Sequence, residues 1–314
     1  MKIKSELLNK RSLNVSMGNI AFVIVRAVIL IGLSFIIVYP IFVKLTTSLM
    51  SNSDLYNPSV VFLPNEPTLS NFRIVWNAVD YPKTFLFTIT LCIITSVLQM
   101  VSCTLVAYGL ARFKFFGKKL IMALVIVMLV VPVQMILTPL YIRFRFFDIT
   151  QLIQVGGTLS GISFIDTPIP FILLSVTATG FKNGLYIFIL LQHFRNSPKV
   201  LEEAAYIDGC TKFTTFTKIA LPGAVAMLAT IFLFAFVWQW NDYYYTSVFC
   251  PQLGLMSSEL LNVDFSWIGG ISSDYSFSAS YAPRVLLLIL PLIILYLFTQ
   301  RFFVESVERS GIVG

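Results

Sequence analysis

The sequence predicts an all-α polytopic membrane protein with six transmembrane helices. Three observations predict it. The 314 residues are 57% apolar and only 12% charged, against about 45–50% and about 25% in a soluble domain, and the mean hydropathy is +0.84. Long stretches carry no charge at all. The basic residues that remain collect in the segments on one side of those stretches. An apolar excess of this size excludes a soluble enzyme and a disordered chain. The net charge of +7 reads as basic flanks of membrane spans, so no nucleic-acid partner is expected.

A hydrocarbon core about 30 Å thick needs about 20 helical residues. The first span is expected over 20–43. Residues 27–43 are uncharged, and Ile20 to Val25 extend the run past Arg26, which snorkels near a helix end. The run is too long for a signal-peptide core and is expected to stay as an anchor. The second span occupies 84–110, the third 120–142 and the fifth 219–241, all free of charge. The fourth, 167–194, is interrupted by Lys182, Asn183 and Gly184 and is read as discontinuous. The sixth, 280–300, passes Arg284 near one end.

Orientation follows from Lys and Arg. With residues 1–19 as a basic cytoplasmic N-terminus, the cytoplasmic segments hold 14 of the 22 basic residues and the outer ones five, Lys44, Arg73, Lys83, Arg143 and Arg145. Both termini, including the tail 301–314, are then cytoplasmic. The four cysteines form no disulfide framework.

The most informative stretch is the cytoplasmic loop 195–222. It reads as two capped helices. Ser197 is placed as the N-cap and Pro198 at the first helical position. Glu202 and Glu203 lie near the positive end of the helix dipole, and Gly209 ends the helix as a left-handed cap. Thr211 caps a second short helix that carries Phe213, Phe216 and Ala220 on one face, with Pro222 marking a stop or kink. A loop that only links spans needs no such construction. It reads as a knob that docks into a partner.

Within this loop Glu203-Ala204-Ala205, three residues, Gly209, nine residues, Ile219, one residue and Leu221-Pro222 resemble the EAA motif of permease subunits of ABC importers. Further runs resemble the MalG-like permeases of carbohydrate importers. They are A-Y-G-L-A-R-F-K-F-F-G over 107–117, P-T-L-S-N over 67–71, Trp240-Asn241-Asp242, R-F-F-V over 301–304 and Ser310-Gly311. The resemblance implies a type I importer permease fold with a cytoplasmic coupling helix, in a prokaryotic cytoplasmic membrane. It implies a second homologous permease, two ATPase subunits, an extracytoplasmic solute-binding protein and a carbohydrate substrate. A polyol or glycerol phosphate is the alternative solute. ATP and Mg would be bound by the partners, with no cofactor, metal or catalytic residue on this chain. The docking and coupling positions would be Glu202, Glu203, Ala204, Ala205, Asp208, Gly209, Ile219, Leu221 and Pro222. For Glu203, a solvated helix-face acid is the other reading.

Polar groups inside the spans are candidates for the solute path: Gln99, Gln134, Asn183, Gln239, Trp240, Asn241 and Asp242. Interhelical hydrogen bonding and interfacial anchoring are the competing roles. Asp242, at the end of a charge-free run, is expected at the outer interface. Lys182 is left without a role. A secondary transporter is disfavoured because only Arg26, Lys182 and Arg284 intrude into spans and no inverted repeat is evident. A membrane-embedded enzyme is disfavoured because no zinc-ligand, nucleophile-elbow or phosphate-loop motif occurs.

Overall fold

The computed structural model describes residues 17–147, 161–262 and 273–311. The basic residues of 1–16, and the parts at 148–160 and 263–272 of segments expected on the outer side, lie outside the described residues. Among the described residues the chain is helical, with one isolated bridge between Phe147 and Ile162. It divides into two compact units: 1–72 with 268–286, and 73–267 with 287–314.

The first unit is dominated by α1 (Met17–Ser48). Its side chains from Phe22 to Phe42 are exposed, as expected of a span whose neighbours are lipid or another chain. Its far end is fixed by Asn71, whose Nδ2 donates to the carbonyls of Ser48 (3.2 Å) and Met50 (2.8 Å). These carbonyls lie at and just beyond the end of the helix, where no further turn supplies donors. In the same unit Lys44 Nζ lies 4.4 Å from the Tyr281 ring centre.

The second unit is built around α2 (Tyr81–Arg112). Against it pack α5 (Ile169–Val176), α6 (Asn183–Asn196) and α9 (Val225–Trp240). Lipid is as apolar as leucine, so helices here associate by close packing and hydrogen bonds. The buried face of α2 suits this with small and hydroxylated residues: Thr84, Thr88, Thr95, Ser96 and Thr104. Thr88 and Thr95 return their hydroxyl protons to the carbonyls four residues back, each at 2.8 Å, so neither leaves a donor unpaired in lipid. Cys103, Ala107 and Leu110 of α2 then meet Tyr186, Leu190 and Phe194 of α6. Gly184 allows a close approach: a Cβ there would lie 2.9 Å from Met128 Cβ.

Proline and local hydrogen bonding correct the expected spans. The stretch 120–142 is not one helix. It divides into α3 (Lys118–Val130) and α4 (Val133–Arg145), bent by 107°. Pro132 lacks an N–H and drives Val131 into an extended conformation (ψ 121°). The stretch 219–241 also bends, by 77°, where residues 212–223 meet α9. The fourth stretch is α5 and α6, separated by 177–182, in which Ala178 and Lys182 adopt left-handed conformations (φ 56° and 65°). Among the described residues three helices are long and apolar enough to cross a membrane, Phe22–Ser48, Tyr81–Arg112 and Ser280–Gln300, or up to five counting each bent pair as one span. The expected six are not reached on that criterion.

After α9 come α10 (Tyr244–Phe249), α11 (Met256–Asn262) and α12 (Ser273–Gly311). Pro291 lies inside α12 and deprives the Leu287 carbonyl of its helical donor. Tyr81 supplies one instead, its hydroxyl donating to Leu287 O at 3.1 Å. Trp240 Nε1 donates to the next carbonyl, Leu288 O, at 3.0 Å.

Candidate functional site

The loop 195–222 begins with α7 (Lys199–Ile207) and α8 (Lys212–Thr215). Ser197 does not cap α7. It closes α6 instead, its hydroxyl donating to His193 O at 3.0 Å, and Pro198 stands at the N-cap position. The C-terminus of α7 is closed at Gly209 (φ 82°). The amide of Gly209 donates to Tyr206 O (3.1 Å) and that of Cys210 to Ala205 O (2.9 Å), the paired bonds of a Schellman cap. Thr211 caps α8 by accepting from the Thr214 amide at 3.2 Å.

The helical period sorts the two glutamates. Glu203 is exposed with Ala204, Asp208 and Gly209, whereas Glu202 and Ala205 are buried. Glu202, expected on the docking surface, turns inward. Its Oε1 accepts from Arg112 Nε at 2.8 Å and its Oε2 from the Tyr108 hydroxyl at 3.0 Å. Arg112 Nη2 also donates to Ser197 O at 3.1 Å. The ion pair is almost fully shielded, at 7% and 8% side-chain exposure. The outward face of the loop carries Leu201, Ile207 and Phe213, all exposed. Phe213 and Phe216 do not share a face: Phe216 is buried and Phe213 is not. A π-turn over Phe216–Ala220, in which the Leu221 amide reaches back to Phe216 O, adds a residue after Phe216 and moves Ala220 out of phase with it. Ile219 and Leu221 are half-buried and Pro222 is exposed.

A second cluster lies among α2, α5, α6 and α9. Gln99, Gln239 and Asp242 line one small cavity with Ser175, Tyr186 and Trp238. Gln99 Nε2 contacts Ser175 Oγ at 3.4 Å. Asn183 is fully buried beside them, and neither its Nδ2 nor its Oδ1 has a hydrogen-bond partner. A Cβ on Gly180 would crowd both carboxamides, at 3.3 Å from Asn183 Nδ2 and 3.4 Å from Gln99 Nε2. Asp242 is buried. Its carboxylate accepts from the amides of Tyr245 (3.3 Å) and Thr246 (2.9 Å) at the start of α10, which replaces solvation.

The other path candidates lie elsewhere. Trp240 is fully buried, stacked 6.0 Å from Phe236. Asn241 is exposed, with Nδ2 on Val237 O at 2.9 Å, and Gln134 is exposed on α4. Lys182 holds its ammonium 4.5 Å from the Trp238 ring centre and 4.8 Å from that of Phe181. Tyr108 and Arg112 belong to the run 107–117, where the sequence gives them no role of their own, although their spacing of four places both on one face of α2.

The family model described as "Binding-protein-dependent transport system inner membrane component" matches residues 103–309. The chain is 26% identical over 282 residues to the inner membrane ABC transporter permease protein YcjP of Escherichia coli (strain K12), covering 89% of this chain and 92% of that protein. It is 26% identical over 289 residues to the arabinooligosaccharides transport system permease protein AraQ of Bacillus subtilis (strain 168), covering 90% and 92%. The fold matches a chain in the crystal structure of a bacterial ABC transporter involved in the import of the acidic polysaccharide alginate. There the TM-score is 0.72 at 21% identity, over 92% of this chain and 98% of that one. With well over half of its length matched, the chain belongs to the binding-protein-dependent transport system inner membrane component family, the membrane permease of such importers and not their ATPase.

Proposed function

We propose that this chain is a permease subunit of an ATP-driven, binding-protein-dependent carbohydrate importer. It works with a second homologous permease, two ATPase subunits that bind ATP and Mg, and an extracytoplasmic binding protein. Loop 195–222 faces the cytoplasm, as do both termini. The observation that carries the reading is the Schellman-capped helix α7, which presents Glu203, Ala204, Asp208 and Gly209 outward while Glu202 bolts it to α2. A rigid knob tied to a long span passes displacement on without dissipating it in a flexible linker. Docking of the knob in an ATPase cleft then couples nucleotide state to two arrangements of the spans. Ile219, Leu221 and Pro222 shape the bend from the knob into α9. The polar cavity at Gln99, Gln239 and Asp242, with Asn183 beside it, is the section of the solute path that this chain lines. A carbohydrate is supported by the substrates named for AraQ and for the alginate transporter.

The test is Glu203→Lys in the assembled transporter. Charge reversal at a docked contact costs about 2 kcal/mol or more, read as roughly thirtyfold weaker ATPase binding and loss of uptake with the chain still in the membrane. Undiminished uptake of an oligosaccharide would remove the knob from the coupling route. Proteoliposome uptake across neutral and acidic oligosaccharides identifies the solute.

A further inference from the structure

Beside the loop cluster lies a third feature that the transport reading does not use; Lys114 and Lys118 belong to it and also to the groove lined by Glu202 and Glu203. Between α2 and α3 the chain turns through F-K-F-F-G-K-K, residues 113–119. This turn and the last turn of α6 border an open pocket of about 640 Å³. Its lining includes four cationic side chains, Lys114, Lys118, Lys119 and Arg195, and no acidic one. The rest of the lining is apolar, chiefly Phe115, Phe116 and Met122. Phe116 is fully exposed, which is costly for a phenyl ring in water. Lys118 Nζ donates to Phe113 O at 2.9 Å and holds the turn closed. Gly117 (φ 81°) permits the reversal that puts Phe116 and Lys119 at the same rim.

From that rim α3 runs away with Leu120, Leu124 and Val127 exposed, a stripe at helical spacing. The polarity is therefore graded: cations, then aromatic rings, then an aliphatic track. A soluble acidic peptide would match the cations and leave the track bare. A molecule with an anionic head and a hydrocarbon tail matches all three zones. We propose that this pocket is a binding site for an anionic phospholipid, its phosphate among Lys114, Lys119 and Arg195 and an acyl chain along α3. Basic pockets beside spans bind lipid headgroups by the same charge complementarity.

The test uses the full chain purified in mild detergent, with phosphatidylglycerol and phosphatidylcholine of identical acyl chains, read by native mass spectrometry. The expected result is retention of phosphatidylglycerol in preference to phosphatidylcholine by about tenfold. Lys119→Gln with Arg195→Gln should abolish the preference, and Lys83→Gln, near the start of α2, should preserve it. Equal retention of the two lipids by the unaltered chain overturns the proposal, whatever the folding of the variants. So does a preference that survives the double substitution, or displacement of the lipid by millimolar inorganic phosphate or by an acidic peptide.

Discussion

Two polar clusters sit at different heights of the second unit, and their hydrogen bonding is opposite in character. At the loop, Glu202 has both carboxylate oxygens engaged by Arg112 and Tyr108, and the unpaired atoms are single ones, Arg112 Nη1 and, on α8, Thr215 Oγ1. At the cavity, the whole carboxamide of buried Asn183 lacks a partner. The backbone repeats the contrast. Beside the cavity, Ala178 and Lys182 hold left-handed conformations without being glycine, which costs of order 1 kcal/mol each. At the loop, the left-handed position is occupied by Gly209, which adopts it freely. A satisfied cluster behaves as a fixed joint. An under-satisfied one in strained backbone has the properties of a surface kept ready for a ligand or a rearrangement.

Glu202→Gln gives the largest expected effect. It strands the Arg112 guanidinium in a shielded site, at a cost of about 3–5 kcal/mol. Thermal unfolding should fall clearly, and Glu202→Leu with Arg112→Met should recover much of the loss. A shift no larger than that of Lys199→Gln would mean that the loop is anchored some other way. Gly209→Val comes next. A β-branched residue at φ 82° costs about 1–3 kcal/mol, confined to the cap. Amide exchange should quicken in α7 and leave α2 unchanged; exchange that rises equally in both would merge the loop and the span into one unit. Asn183→Leu should have the smallest effect on stability. Replacing an unpaired amide by an apolar group of similar shape is neutral or stabilising by about 1 kcal/mol, while solute uptake falls. A stability loss matching that of Glu202→Gln would erase the contrast between the clusters.

What could be read from sequence was local. Gly209 and Thr211 act on amides within four residues, so residue type and spacing were enough. Glu202 and Glu203 are adjacent and chemically identical. Their division depends on Tyr108 and Arg112, 94 and 90 positions before Glu202, meeting one face of α7. The run 120–142 was legible as apolar but not as bent, because counting charges is blind to the missing N–H of Pro132. The phase of Ala220 relative to Phe216 has a similar origin, since a 3.6-residue period does not anticipate a π-turn. The burial of Asp242 depends on the amides of Tyr245 and Thr246, bonds that a count of charges does not contain. The cavity gathers Gln99 from α2 and Gln239 from α9, a convergence that no window of sequence contains.

The paired bonds from Tyr81 and Trp240 to consecutive carbonyls of α12 give the molecule a built-in gauge. Rotation of that helix about its own axis, or a slide along it, would part both bonds together. The chain has four tryptophans, and Trp240 is the one whose indole proton is held by Leu288. Its resonance and its fluorescence would register helix slippage directly, with no label attached.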